Sequence, residues 1–180
     1  MVKINKTLWK LFFVIIFPYL ILFTVYLMFF GHNIIEKVFF NNGFYLILAL
    51  IFFYVIALIS AFVFFIKNIL SKKYSENILK INMIIKILHI PAYILIFLMG
   101  VISFITIFTI GFSIAFIILD MLTIFMTGLI GLSGIIIGFK EKKISIKNAI
   151  IFSIFQFIFC IDVFSSIIIY KKIKKEKMDN

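Results

Sequence analysis

The sequence predicts an all-α polytopic transmembrane helical bundle, one domain covering residues 1–180. Three observations carry that expectation: 65% of residues are hydrophobic, mean hydropathy is +1.28, and the lysines gather at the edges of apolar runs. Soluble domains are only about half apolar, and a chain this short exposes too much surface to hide the excess. The bilayer must be the solvent for most of it.

The first apolar run, residues 11–30, follows Lys3, Lys6 and Lys10 as the core of a signal peptide would. Its 20 residues exceed the roughly 7–15 of a secretory core, and no small-residue cleavage site follows. It reads as a retained span, since about 20 apolar residues cross the hydrocarbon. Pro18, with no N–H to donate, is placed to kink it. Residues 31–43 form a polar connector with His32 as a loop residue, and residues 44–66 form a second span without a charge.

The next connector, residues 67–86, carries Lys67, Lys72, Lys73, Lys80 and Lys86 against Glu76. Its later part is expected to be helical from Ser75, a residue suited to N-capping, yet it shows no clean amphipathic face. Pro91 then suits the first turn of a new helix or a kink at headgroup level. The 53 residues from 87 to 139 hold one charged residue, Asp120. A single helix of that length would be roughly 80 Å long against a hydrocarbon thickness of about 30 Å. The run must fold back, and a turn at Gly111-Phe112-Ser113 divides it into spans at 91–110 and 114–138. A basic loop follows at 140–148, then an apolar run at 149–170 interrupted by Asp162, then a lysine-rich tail. Five spans result; the alternative is four plus a re-entrant or interfacial last segment.

Lysine placement sets the orientation. With the N-terminus inside, twelve lysines face the cytoplasm, while Lys37 and the five after Tyr170 lie outside. If the last segment dips in and returns, the division becomes seventeen to one. Both favour a multi-pass protein of the cell membrane with a cytoplasmic N-terminus. All 18 basic residues are Lys, and the net charge is +11. A nucleic-acid partner would need a basic face on a folded surface, whereas these lysines suit topology and anionic headgroups. The expected partners are the lipid bilayer and either another membrane protein or a second copy, with no nucleic acid.

Few residues are candidates for chemistry. Asp120 and Asp162 lie inside spans, where a charge costs about 2.5–3.5 kcal/mol at the helix centre, so both are proton or ion candidates. Counted from the outer ends of their helices they sit at similar depth, which predicts neighbouring carboxylates that titrate together. Equally, each is a structural hydrogen-bonding group, with Thr123 and Thr127 beside Asp120 and Ser165 and Ser166 beside Asp162. Gly128, Gly131, Gly134 and Gly138 are expected to pack helices, because small residues four apart let backbones approach where lipid offers no hydrophobic drive.

Gly131-Leu132-Ser133-Gly134 has the form found around the serine of rhomboid-type intramembrane proteases. A nucleophile needs a base within hydrogen-bond reach, and the chain has only His32 and His89, the latter expected at the interface. The contexts of the two Asp lack the Gly-x-Gly-Asp of aspartyl intramembrane proteases. No zinc, phosphate-loop or dinucleotide motif occurs in the sequence, and the lone Cys160 reads as a small buried apolar residue. The expectation is a non-enzyme without metal or cofactor.

The stretches Asn82-Met83-Ile84-Ile85-Lys86, His89-Ile90-Pro91-Ala92-Tyr93 and Gln156-Phe157-Ile158-Phe159-Cys160-Ile161-Asp162 resemble a family of uncharacterised small polytopic membrane proteins from Gram-positive bacteria. The resemblance covers residues 82–172 and implies a membrane location and several spans, with no active residue. Function therefore divides between an interaction protein (a partner subunit or an immunity-type protein) and a small proton- or cation-coupled transporter or channel-like protein using Asp120 and Asp162.

Overall fold

The computed structural model describes residues 7–70, 74–105 and 107–178; Lys3, Lys6, Lys72 and Lys73 of the orientation argument lie outside them. All regular structure among the described residues is helical. Four helices are long and apolar enough to cross a membrane: α1 (Phe12–Phe30), α3 (Gly43–Leu70), α4 (Ser75–Ser103) and α5 (Ile110–Lys140). A short α2 (His32–Val38), which His32 opens, lies between the first two, while α6 (Ile146–Phe155) and α7 (Ile161–Met178) complete the chain.

α5 is the central helix, touching α1, α3, α4, α6 and α7. Its neighbours bring residues at three- and four-residue spacing to it, including Val14, Phe17 and Ile21 of α1, Ala57, Ala61 and Phe64 of α3, and Ile78, Ile81 and Ile85 of α4. The remaining faces carry exposed large apolar side chains such as Ile51, Phe52, Val55 and Ile59. In water that surface would drive aggregation; in lipid it costs nothing.

Three expectations are corrected. First, α4 does not begin at Pro91 but runs through it from Ser75. Pro91 faces outward, so its ring and missing N–H disturb only the lipid side of a helix whose other face is packed. One turn before it, the Tyr19 hydroxyl donates to the Leu88 carbonyl. The expected connector at 67–86 is mostly helix, and Lys86 and His89 are fully buried instead of lying at a loop or interface.

Second, α4 ends at Ser103 and a 3-10 turn at Ile107–Thr109 leads into α5, so the chain reverses before Gly111-Phe112-Ser113. The Thr109 hydroxyl closes the reversal by donating to the Ser103 carbonyl at 2.7 Å. Ser113 lies within α5 and donates across the helix pair to the Gly100 carbonyl at 2.8 Å. Ser113 thus ties α5 to α4, while Gly111 is an exposed residue in the first turn of α5.

Third, residues 149–170 do not form one helix, so of the two arrangements the sequence leaves open the five-span one gives way to four long helices followed by a hairpin of shorter ones. Ser145 caps α6 by accepting the Asn148 N–H at 3.5 Å. The chain turns at residues 156–160, with Cys160 in a left-handed conformation at φ 64°. α7 then returns to the end where α6 began, because Ile144 and Ile173 both lie against Gly138. Ten residues span only about 15 Å, half of what a crossing needs. Cys160 is exposed at the hairpin tip, not buried.

α5 ends in a Schellman arrangement: Lys143 N–H bonds the Gly138 carbonyl at 3.0 Å, and Lys142 N–H bonds that of Phe139 at 2.9 Å. Glu141 beside it accepts from the Ser75 N–H at 3.2 Å and from the Ser75 hydroxyl, fastening the start of α4 to the end of α5. Lys143 completes this cluster at 2.7 Å from Glu141. Partial burial opposes ionisation of Glu141, but the Lys143 and Ser75 hydrogen bonds outweigh it and hold its carboxyl below the ordinary glutamate value.

Candidate functional site

The inner face of α4 is polar through its middle. Ser75, Leu79, Asn82, Lys86, His89, Tyr93, Ile96 and Gly100 follow alternating four- and three-residue steps, and every one is buried. Those steps return a helix to the same side. Against this stripe α5 sets Ser113, Asp120, Thr123, Thr127 and Gly134 at similar steps, all buried.

The two helices run antiparallel in constant register. Leu79 lies against Gly134, Asn82 against Gly131, and Gly100 is bonded by Ser113. Extending that register sets Lys86 level with Thr127 and Tyr93 level with Asp120. Lys86 lies eleven residues from Ser75, roughly 16 Å along α4.

The hairpin supplies the remaining polar groups. Lys86 Nζ lies 2.9 Å from Asp162 Oδ2, with both side chains fully buried, and donates to the Gln156 main-chain carbonyl at 3.1 Å. The Gln156 side chain bridges helices, accepting from Asn82 Nδ2 at 3.0 Å and donating to Ser165 Oγ at 3.1 Å. The turn's freed carbonyl and its buried amide are therefore both satisfied by protein, as a broken helix at membrane depth requires.

The glycines of α5 make room for this. A β-carbon on Gly131 would collide with the Gln156 and Asn82 side-chain amides, and one on Gly128 would lie 2.5 Å from the Phe157 ring. At Gly134 the obstacle is Leu79 at 2.8 Å, and at Gly138 it is Ile144 at 2.7 Å. The stripe thus seats both α4 and the hairpin.

Asp162 therefore has a different partner from the neighbouring Asp120 that the depth argument expects. Seven residues, about 10 Å, separate the Asp120 level of α5 from the level of Lys86. Tyr93 connects the layers: its hydroxyl meets the Thr127 side chain and lies in the fields of both carboxylates, with His89 Nδ1 3.5 Å away. His89 in turn approaches the backbone of Val14 and Ile15, although its Nε2 makes no aligned hydrogen bond. Pro18 explains the approach, since a proline lacks the N–H that would bond the Val14 carbonyl four residues earlier. Asp120 is only 8% exposed, and its Oδ1 has no hydrogen-bond partner.

Lys86, Asn82, Tyr93 and Gln156 were not among the sequence candidates, while His89 was expected at the interface and Ser165 beside Asp162. The signal for Asn82, Lys86, His89 and Tyr93 was the stepped spacing of polar residues on α4, which a search for an apolar face passes over. Residues 82–93 of α4 meet residues 156–162 of the hairpin here. Ser133 joins no catalytic arrangement among the described residues; its hydroxyl donates to the Ile130 carbonyl of its own helix at 2.7 Å. In comparisons with known proteins, the chain matches no family model, no curated protein and no solved structure.

Proposed function

We propose that this chain is a non-enzymatic, multi-pass protein of the cell membrane that binds a proton or small monovalent cation at Asp120. The carrying observation is a buried carboxylate with an unpartnered oxygen in the bundle interior. Lys86 and Asp162 neutralise each other, so an ionised Asp120 leaves one uncompensated negative charge in a low-dielectric interior. That favours uptake of one positive charge, and intramembrane carboxylates in other proteins line ion and proton paths for this reason. Tyr93, Thr127 and His89 provide exchangeable hydrogens between Asp120 and the ion pair.

Purified protein in liposomes loaded with a pH-sensitive dye is expected to accelerate proton or sodium movement under an imposed potential. Asp120→Asn should abolish the flux while keeping the melting temperature. Flux no faster than in protein-free liposomes, or unchanged in Asp120→Asn, refutes this reading. The interaction reading, a partner subunit or immunity-type protein, is favoured by a different feature. An apolar groove of about 410 Å³ between α4 and the hairpin tip, lined by Phe97, Leu98, Phe159 and Phe164 among others, can take a partner's side chains. Under that reading Asp120→Asn leaves function intact.

The orientation we propose is N-terminus inside. Lys10, Lys67, Lys80, the loop lysines and those of α7 belong to one end of the bundle, and Lys37 to the other. Reporter fusions after Asn42 and Lys147 should report opposite sides, and one after Lys175 the same side as Lys147. A fusion at Lys175 opposite to Lys147 would mean that the last segment crosses.

A further inference from the structure

The lysine-bearing end contains an open pocket of about 680 Å³ between the end of α5 and the start of α6. Phe139, Ile144 and Ile146 form its apolar part, and Lys140, Lys142 and Ser145 its polar part. Lys143 points its charge at Glu141, but Lys140 and Lys142 have no acidic partner among the described residues. Lys142 also occupies the left-handed position of the Schellman turn, at φ 59°. Glycine usually takes that place, because a β-carbon there costs roughly 1–2 kcal/mol. Ser145, at the start of α6, presents a hydroxyl next to the helix N-terminus, where negative charge is favoured.

We infer that this pocket binds the headgroup phosphate of an anionic phospholipid such as phosphatidylglycerol. Charge complementarity selects the anion: Lys171, Lys172, Lys174 and Lys175 of α7 reinforce the field, since Ile173 packs beside Ile144 at Gly138. The apolar half selects a lipid over a free phosphate. Phe139 and Ile146 are 44% and 64% exposed beside the lysines, and they fit the glycerol and first methylenes of an acyl chain. The site is independent of Asp120.

The test uses the full chain in neutral detergent and reads binding by native mass spectrometry and thermal shift. Phosphatidylglycerol should bind and raise the melting temperature, while phosphatidylcholine with the same acyl chains should do neither. A lysine near a membrane surface contributes about a fivefold gain in binding to anionic lipid, so Lys140→Gln with Lys142→Gln should weaken binding about 25-fold. The control Lys171→Gln with Lys172→Gln removes the same charge nearby and should weaken it less than about fivefold. Equal losses in the two variants would show a diffuse field with no site and overturn the proposal. Equal binding of phosphatidylcholine, or equal stabilisation by inorganic phosphate, would overturn it too.

Discussion

Replacing Lys86 by Met is expected to destabilise the protein by about 3–5 kcal/mol, because Asp162 is left buried without its counter-charge. Asp162→Leu should cost a similar amount by stranding the lysine. The double variant is expected to recover most of either loss, since a buried ion pair exchanged for apolar groups of similar volume is often neutral. Recovery should stop short of complete, for the Gln156 carbonyl still loses the Lys86 hydrogen bond at 3.1 Å, worth about 1–3 kcal/mol when left unmade. Unfolding of the four proteins in one detergent gives the coupling directly. Additive losses would mean that the two groups do not sense each other.

The second large effect is expected at Gly131. Gly131→Ala places a β-carbon among the Gln156 and Asn82 side-chain amides, so the hairpin must shift and the amides lose their partners. Overpacking costs about 1–3 kcal/mol and an unsatisfied buried polar group a similar amount, giving a loss of roughly 2–5 kcal/mol. Gly134→Leu should destabilise comparably through Leu79, which lies 2.8 Å from the added β-carbon. Gly111 is the internal control, with nothing within 4 Å of a β-carbon. There, alanine should stabilise by about 0.5–1 kcal/mol through helix propensity alone. Equal responses at Gly131 and Gly111 in thermal unfolding would remove the seating role of the stripe.

The long helices were legible because hydropathy summed over twenty residues is insensitive to detail. The glycines at 128, 131, 134 and 138 and the two intramembrane Asp were also visible, being rare residue types in such surroundings. Lys86 was hidden by its neighbourhood. Five lysines in twenty residues read as a headgroup-level connector, and only packing distinguishes the buried one from Lys80 a turn and a half earlier. The polar stripe of α4 was missed for a related reason. In water the buried face of a helix is the apolar one, whereas here lipid takes the apolar faces and the bundle keeps the polar one. The break at 156–160 carries neither Gly nor Pro, so no local signal marks it. It exists because Gln156 and Asp162 find partners on α4 and Gln156 a seat at Gly131 of α5, a tertiary cause that no window of sequence contains. Cys160, placed by that same turn, was misread as buried for the same reason.

The hairpin also constrains the order of assembly. Apart from the bonds lost at Pro18 and Pro91, each of the four long helices satisfies its own backbone and can enter lipid before the hairpin. The turn at 156–160 cannot, since the Gln156 carbonyl and side-chain amide are met by Asn82, Lys86 and Ser165. Of these, Ser165 travels with the hairpin, while the other two sit on a helix that precedes it in the chain. α4 and α5 must therefore be side by side in the membrane before the hairpin docks, which makes its insertion a templated, late step. A variant that separates α4 from α5 should leave the four spans inserted and the last thirty residues open to protease.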